Sequence, residues 1–592
     1  MKKEEIIMAI GLANDKYVLE AQSPSSIKKK RRIIIGTLAA CISLILVNLW
    51  LFMPFPTPAS PIAVYADSQY YPIIERLYLN IEAANKLPYS NNFEKMLYNI
   101  NKPKKNTSAS TDHVLNADKD HAQTYKEITD NQNDGVIESD RIKRSDKYVY
   151  YVQKNKLMIY AVGNGEYELV GSTFLPSTDT DIFLSLDCKY VTAISRQYNS
   201  NSGHKTHVCV LDVSSPDAIK TVSEITLDSQ FLEARYSQDH LIISSRFNIN
   251  LSQKDYSKIN SFIPKIRYDQ KNEYIPIDNV RITDYKHSEY SAYTLLYLLD
   301  PITLAPKSSF GLFGGSESVY FSRDNVFLVA NYEKDGVDTC EISCVSYTEG
   351  KLEFKCAIEA EGNVMNRRWM DEHNGVLRVF SDTGENGKKS ATLSVFDLKT
   401  KKTIAKIKNF APNGESIKSV RFADNTAYVC TAFVEEIVII DPVFFFDISD
   451  HHNITYTDTG TIPGFSMSLI DYKNGDLLGV GTDENQIPKL ELYQEENETV
   501  VSKSKVKCGA AIPNEYKSYL IDRERGLFGM EVMLLSENNY KLFEIKDGEI
   551  REIFSVKTHE DNFINRTRAI VTDGYLYIFS DFGISAHKIE TS

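Results

Sequence analysis

Several groupings in this 592-residue chain bring metal-ligating or acid–base side chains close together. The most suggestive is DNQNDGVIESD, Asp130 to Asp140. Asp130, Asp134 and Gly135 fit positions one, five and six of a calcium-binding loop. Gln132 weakens position three, and Arg141 stands at position twelve, where a bidentate glutamate is required. A cation there repels the metal, so calcium binding is rejected. His451-His452 follows Asp447 and Asp450 in an expected turn, but vicinal histidines in a turn point apart and stay solvated. Asp179 and Asp181 in STDTD are hard oxygen ligands in type, and they read better as turn caps. Glu435-Glu436, if in a strand, face opposite sides and do not form an acid–base pair.

The eight cysteines give no more. Cys41 falls in an apolar run, leaving Cys188, Cys209, Cys340, Cys344, Cys356, Cys430 and Cys508. An odd set is no disulfide framework, and the expected state is buried small hydrophobes. Cys340 and Cys344 on one strand lie too far apart to pair, whereas Cys344 and Cys356 face each other if the intervening chain is a hairpin. CxxC, HExxH, nucleophile-elbow and Walker patterns are all missing from the sequence. The sequence therefore assigns no catalytic, cofactor-binding or metal-binding residues, no cofactor and no enzymatic activity.

The elements that would position these residues differ along the chain. Residues 1–32 are a short polar head with a loosely amphipathic stretch, expected in the cytoplasm. Lys28-Lys29-Lys30-Arg31-Arg32 abuts Ile33–Met53, twenty-one residues without formal charge. At 1.5 Å rise per residue this run is long enough to cross a bilayer. The flanking cations place its N-terminal side inside, which predicts an uncleaved signal anchor at 33–53. Residues 54–103 carry helical spacing (Ile73, Ile74, Leu77, Ile81) and predict an extracellular helical segment. Residues 104–145 are polar enough to predict a flexible linker. The net charge of −13 argues against nucleic acid as a partner.

From 146 to 592 the pattern is strand, turn, strand. A recurring unit is an apolar strand ending in Asp, a turn, then a more polar strand: LDVSSPDAIK, LLDPITLAP, FDLKTKKTI, FDISDHHNI. Its spacing matches the four-stranded blade of a β-propeller, and counting turn units gives eight blades, with seven as the alternative. Val443–Phe446 has no polar alternation and predicts a strand buried on both faces. One excursion, about 248 to 291, is too long for a blade turn. It is either tucked along the propeller or placed as a binding loop over one end of the channel.

Asn131–Val152, Leu211–Lys220, Asn374–Asp382 and the stretch from Asn409 through IPGFSMSLID carry a family resemblance. The chain resembles secreted or membrane-anchored bacterial proteins with a C-terminal β-propeller domain distantly related to WD40 repeats. Where that family often has Leu-His-Pro, this chain has Leu469-Ile470-Asp471. The head also resembles, over about twenty residues, those of membrane anti-sigma-like proteins. The resemblance implies an all-β propeller outside the membrane and no established catalytic residues.

The function expected from these features is a single-pass, N-in envelope protein of the cell membrane. Its propeller would be a non-catalytic scaffold for an extracellular protein, peptide or glycan. Two alternatives stand beside it: a transmembrane signalling protein whose head contacts a cytoplasmic partner, and an enzyme whose residues converge in the channel.

Overall fold

The computed structural model describes residues 123–590 except 133–135, 200–202, 238, 250–261, 284–291, 316–317, 386–387, 412–413, 435–438, 461, 474, 498, 514–515, 535–536 and 560–565. It also describes Pro72, Ile73, Glu75, Arg76 and Leu77. The anchor at 33–53, the head, Cys41 and Glu435-Glu436 lie outside the described residues. Among the described residues, no helix is long and apolar enough to cross a membrane.

Among the described residues nine sheets, antiparallel apart from one parallel edge pair in the third, follow one another along the chain. Blade 1 begins with Ile142–Ser145 and Tyr148–Gln153, and blade 2 runs from Thr180–Leu184 to Lys220–Leu227. Blade 3 contains Gln230–Tyr236, Leu241–Asn248, Ala292–Leu299 and Pro306–Phe313. Blades 4 to 8 open with Val319–Phe321, Met370–His373, Ser416–Ala423, Phe465–Lys473 and Leu520–Asp522. Blade 9 has three strands, Arg568–Thr572, Tyr575–Ser580 and Gly583–Lys588. The sequence count of eight is therefore one short. Blade 9 lacks the Asp-ended unit and the fourth strand, so it does not register as a separate repeat.

The Asp signature has a local cause. Asp212, Asp300, Asp397 and Asp447 end the third main strand of blades 2, 3, 5 and 6. Each carboxylate accepts backbone N–H groups two or three residues on: Ser214 at 3.0 Å, Thr303 at 2.9 Å, Thr400 at 2.6 Å and Ser449 at 3.0 Å. These Asx turns fix where the chain reverses into the outer strand. Other reversals use pairs with both residues at positive φ, as in Asn164-Gly165 (52°, 85°) and Asp573-Gly574 (52°, 76°). Such turns match the strand twist.

Consecutive sheets pack face to face through apolar clusters, and the last sheet packs on the first. Tyr151 and Tyr160 of blade 1 lie 5.6 and 6.2 Å from the Phe579 ring of blade 9. Ile142, Val149, Ile570 and Tyr577 complete that seam. The ring thus closes by side-chain packing between two separate sheets. Val443–Asp447 bears out the expected double burial, with Val443 to Phe446 buried and the Phe444 and Phe446 rings packed on Phe410 at 5.2 and 5.0 Å.

One alternative is decided and one expectation corrected here. Of the two placements for the excursion, its described part takes the one tucked along the propeller and forms no loop over the channel. Lys265–Tyr268 and Lys271–Tyr274 extend blade 2 outward, and Val280–Ile282 pairs parallel with the outer strand of blade 3. Nor is the end of the expected linker a linker. Gln123 to Ser145 is structured: Tyr125–Lys126 pairs with Ile142–Ser145, and Ile137–Glu138 pairs with the innermost strand of blade 3. Its polar residues are buried because charged groups of the propeller meet them, a fact composition cannot convey. The fragment at Ile73 and Leu77 is helical, with both side chains buried in the blade 2–3 core. Arg76 there donates to the Thr283 carbonyl at 2.8 Å.

Candidate binding site at the channel mouth

The described residues between Asp130 and Asp140, which leave out 133–135, form a strap that touches blades 2, 3, 5, 6, 8 and 9, which only a segment in the centre of the ring can do. The Asp130 carboxylate meets Arg421 of blade 6 at 2.9 Å and Arg523 beside blade 8 at 3.1 Å. Glu138, 1% exposed at its side chain, meets Arg367 at 2.8 Å and Arg235 of blade 3 at 3.3 Å, and accepts from the Tyr516 hydroxyl. Asp140 takes the Arg568 Nε of blade 9 at 2.8 Å and exchanges backbone hydrogen bonds with Ile182 of blade 2. Gln132 donates to the Met370 carbonyl at 3.2 Å. Asp130, the first position of the imitated calcium loop, is thus an ion-pair partner, Asp134 and Gly135 lie outside the described residues, and Arg141 donates to the Val152 carbonyl at 2.9 Å.

Burial alone would raise the Glu138 and Asp130 carboxyls. Arg235 and Arg367 around Glu138, and Arg421 with Arg368 around Asp130, overcome it and hold both below the usual carboxylate range. Glu233 also lies below its ordinary value, because Arg367, Lys517 and Arg235 outweigh its desolvation.

Above the strap lies a cavity of about 470 Å³. The entries to the inner strands of several blades line it: Leu232 and Glu233 of blade 3, Ser318 and Val319 of blade 4, Met365 to Arg368 before blade 5, and Tyr516-Lys517 before blade 8. A second cavity of about 100 Å³ continues on the far side of Arg368 and Tyr516, reaching Asp130, Lys418 and Ser468. Two short 3-10 turns, Arg367–Trp369 and Tyr516–Ser518, present the charged and aromatic groups. The Asn366 side chain caps the first by accepting from the Arg368 N–H at 2.9 Å. Arg368 lies over the Tyr516 ring, its guanidinium carbon 3.9 Å from the centroid. Burial pushes the Tyr516 hydroxyl up to about 12, so it remains a neutral donor.

The sequence-level candidates lie elsewhere. Asp179 and Asp181 hold Arg196 at 3.1 and 2.8 Å. Asp447 and Asp450 cap their own turn, Asp450 accepting from the His452 N–H at 2.9 Å. Among the described residues no group of three or more histidine, cysteine or acidic side chains is placed to hold a metal. Among the described residues seven cysteines are free thiols, six of them buried and Cys209 half-buried; Cys344 and Cys356 are direct register partners across a hairpin. Leu469-Ile470-Asp471 is in the inner strand of blade 7, entered through Gly464 at φ 96°, where an added Cβ would meet the Thr482 carbonyl at 2.3 Å. Sequence reasoning passed over the mouth residues. An Arg-Arg-Trp run between strands of an acidic chain was the available signal.

The sequence model of the Beta propeller domain family matches residues 128–592. An uncharacterized protein of Archaeoglobus fulgidus is 31% identical over 250 residues, 40% of this chain and 36% of the relative. An uncharacterized protein of Methanocaldococcus jannaschii is 26% identical over 254 residues, 42% of this chain and 38% of the relative. These alignments span a little over a third of each archaeal protein's length. Among solved structures, the β-propeller domain of the Trilobed protease from Pyrococcus furiosus is similar at 9% identity and a TM-score of 0.30. That match covers 64% of this chain and 98% of the other. The family match begins at the strap and ends with blade 9, and on that ground the chain belongs to the Beta propeller domain family.

Proposed function

We propose that this protein is a non-catalytic binding scaffold that receives its ligand at the channel mouth. The observation that carries the reading is the mouth itself. It is an open cavity of about 470 Å³ assembled from four blades, a size suited to ligands rather than to single waters. Its carboxylates, Glu233 and the adjoining Glu138, are held ionised by arginines, which suits them to architecture and not to proton transfer near neutrality. Anchored by residues 33–53 with the head inside, the propeller would offer this mouth to a protein, peptide or glycan of the cell envelope, as in the secreted bacterial proteins it resembles.

Full-length protein in mild detergent, incubated with envelope extract, is expected to retain a partner. Arg368→Met combined with Lys517→Met should release that partner while leaving the unfolding transition cooperative. Retention unchanged by both substitutions would refute the mouth as the binding face. Protease added to intact cells should digest the propeller; full protection would refute the topology.

A signalling role is favoured by one further observation. In sequence the strap is the part of the propeller nearest the apolar segment 33–53, and its Glu138 contacts Arg367, which lines the mouth. A peptide of residues 1–32 should then capture a cytosolic partner that a scrambled peptide does not, and equal capture by both would end this reading.

A further inference from the structure

Two cations at the mouth have no hydrogen-bonded counterpart among the described residues. Lys517 is 9% exposed, and its ammonium forms no hydrogen bond or ion pair among the described residues. Arg368 stacks on Tyr516, and its Nε and Nη2 are buried without an acceptor. The neighbouring Arg367 and Arg235 are different, since Glu138 and Glu233 are in contact with both. Arg235, Arg367, Arg368 and Lys517 thus converge at the mouth of a chain whose net charge is −13; Glu233, Asp181, Glu138 and Asp130 act on the last two through space, yet none of them hydrogen-bonds either one among the described residues. Burying a charge without a hydrogen-bonded partner costs stability, so an arrangement that keeps two of them around one cavity calls for an anion.

We infer that the cavity between Lys517 and Arg368 binds a small organic molecule carrying an oxyanion. The inference deepens, and rests on, the reading of the mouth as the binding face. Several features define the ligand. Lys517 supplies a point charge, and Arg368 a planar cation already oriented by Tyr516 and so costing little further ordering. Leu232, Val319 and Met365, the last 64% exposed, form an apolar wall that takes a hydrocarbon part of the ligand. Carboxylate and phosphate both satisfy this chemistry, and the experiment separates them.

Full-length protein in mild detergent is titrated calorimetrically, at fixed ionic strength, with succinate, with inorganic phosphate and with neutral succinamide. Saturable heat with succinate alone assigns a carboxylate ligand. Heat with phosphate alone assigns a phosphate ligand, and heat with both assigns a general oxyanion site. Succinamide should give none. Lys517→Met and Arg368→Met should each weaken the bound anion at least about tenfold, whereas Lys189→Met, on an exposed turn, should leave it unchanged. No saturable heat with either anion, or equal binding by all variants, overturns the inference. Loss of folding in the variants is guarded against by a second readout. With no hydrogen bond to abandon, Lys517→Met should unfold cooperatively and close to the temperature of the parent without ligand; a marked fall would show a structural ion pair and overturn it too. If anions fail while the mouth variants still release an envelope partner, the scaffold reading stands and only the ligand class falls.

Discussion

Glu138 and Arg367 meet at 2.8 Å with both side chains almost sealed from water, though 229 positions separate them in the chain. The pair ties the strap to the entry of blade 5, and Arg235 and Tyr516 attach the same carboxylate to blades 3 and 8. Removing one member of such a buried network leaves the others uncompensated. Glu138→Gln is therefore expected to lose about 3–5 kcal/mol of stability in urea unfolding. Replacing an exposed pair such as Lys334 and Glu359 should change stability by less than about 1 kcal/mol. Equal, small losses at both sites would remove the strap from the stability account.

Acid should act through the same carboxylates. Asp130 and Glu138 have folded pKa values below their unfolded ones. Their contribution is complete above the unfolded values, near pH 4–4.5, and is lost as pH falls through the folded ones. Thermal unfolding from pH 7 down to acid should show a steep loss below about pH 4.5 that is shallower in Glu138→Gln. An identical slope in the variant would mean that other groups carry the acid sensitivity.

Asp382 titrates in the opposite sense. Burial pushes its carboxyl up to about 6, although it accepts the Ile417 N–H at 2.7 Å. A folded pKa above the unfolded one gives stability below pH 4 that is lost as pH rises through 6. Asp382→Asn keeps the acceptor and removes the charge. It should gain on the order of 2–3 kcal/mol at pH 7.5 and almost nothing at pH 4. A loss at pH 7.5 would show that the ionised carboxylate is needed.

The propeller was legible in the sequence because its signals are local. Val443–Phe446 shows its double burial in four residues, and the Asx turns at Asp212, Asp300, Asp397 and Asp447 mark the same corner of four blades. Blade 9 escaped the count because it has three strands and no Asx corner. The strap was illegible for a different reason. Asp130, Glu138 and Asp140 read as linker or failed metal loop, since their partners Arg421, Arg367 and Arg568 lie 229 to 428 positions away. Arg368 and Lys517 were passed over likewise. Each is an ordinary surface residue until the ring closes and brings two inter-blade turns together.

The domain boundary follows from the strap. A fragment of residues 123–592 should fold with one cooperative thermal transition. Residues 146–592, cut where composition suggests that the linker ends, should leave Arg235 and Arg367 without Glu138 and Arg568 without Asp140, and be aggregated or loosely packed. Similar near-ultraviolet circular dichroism and melting for both fragments would place the boundary back at 146.

Hydrogen–deuterium exchange across residues 129–145 tests the central claim, that this segment is built into the propeller and frames its mouth. Amides of Glu138, Asp140 and Ile142 should exchange as slowly as those of the central strand Tyr148–Gln153. Exchange of the whole segment at the rate of an unstructured chain, with Tyr148–Gln153 still protected, would contradict it.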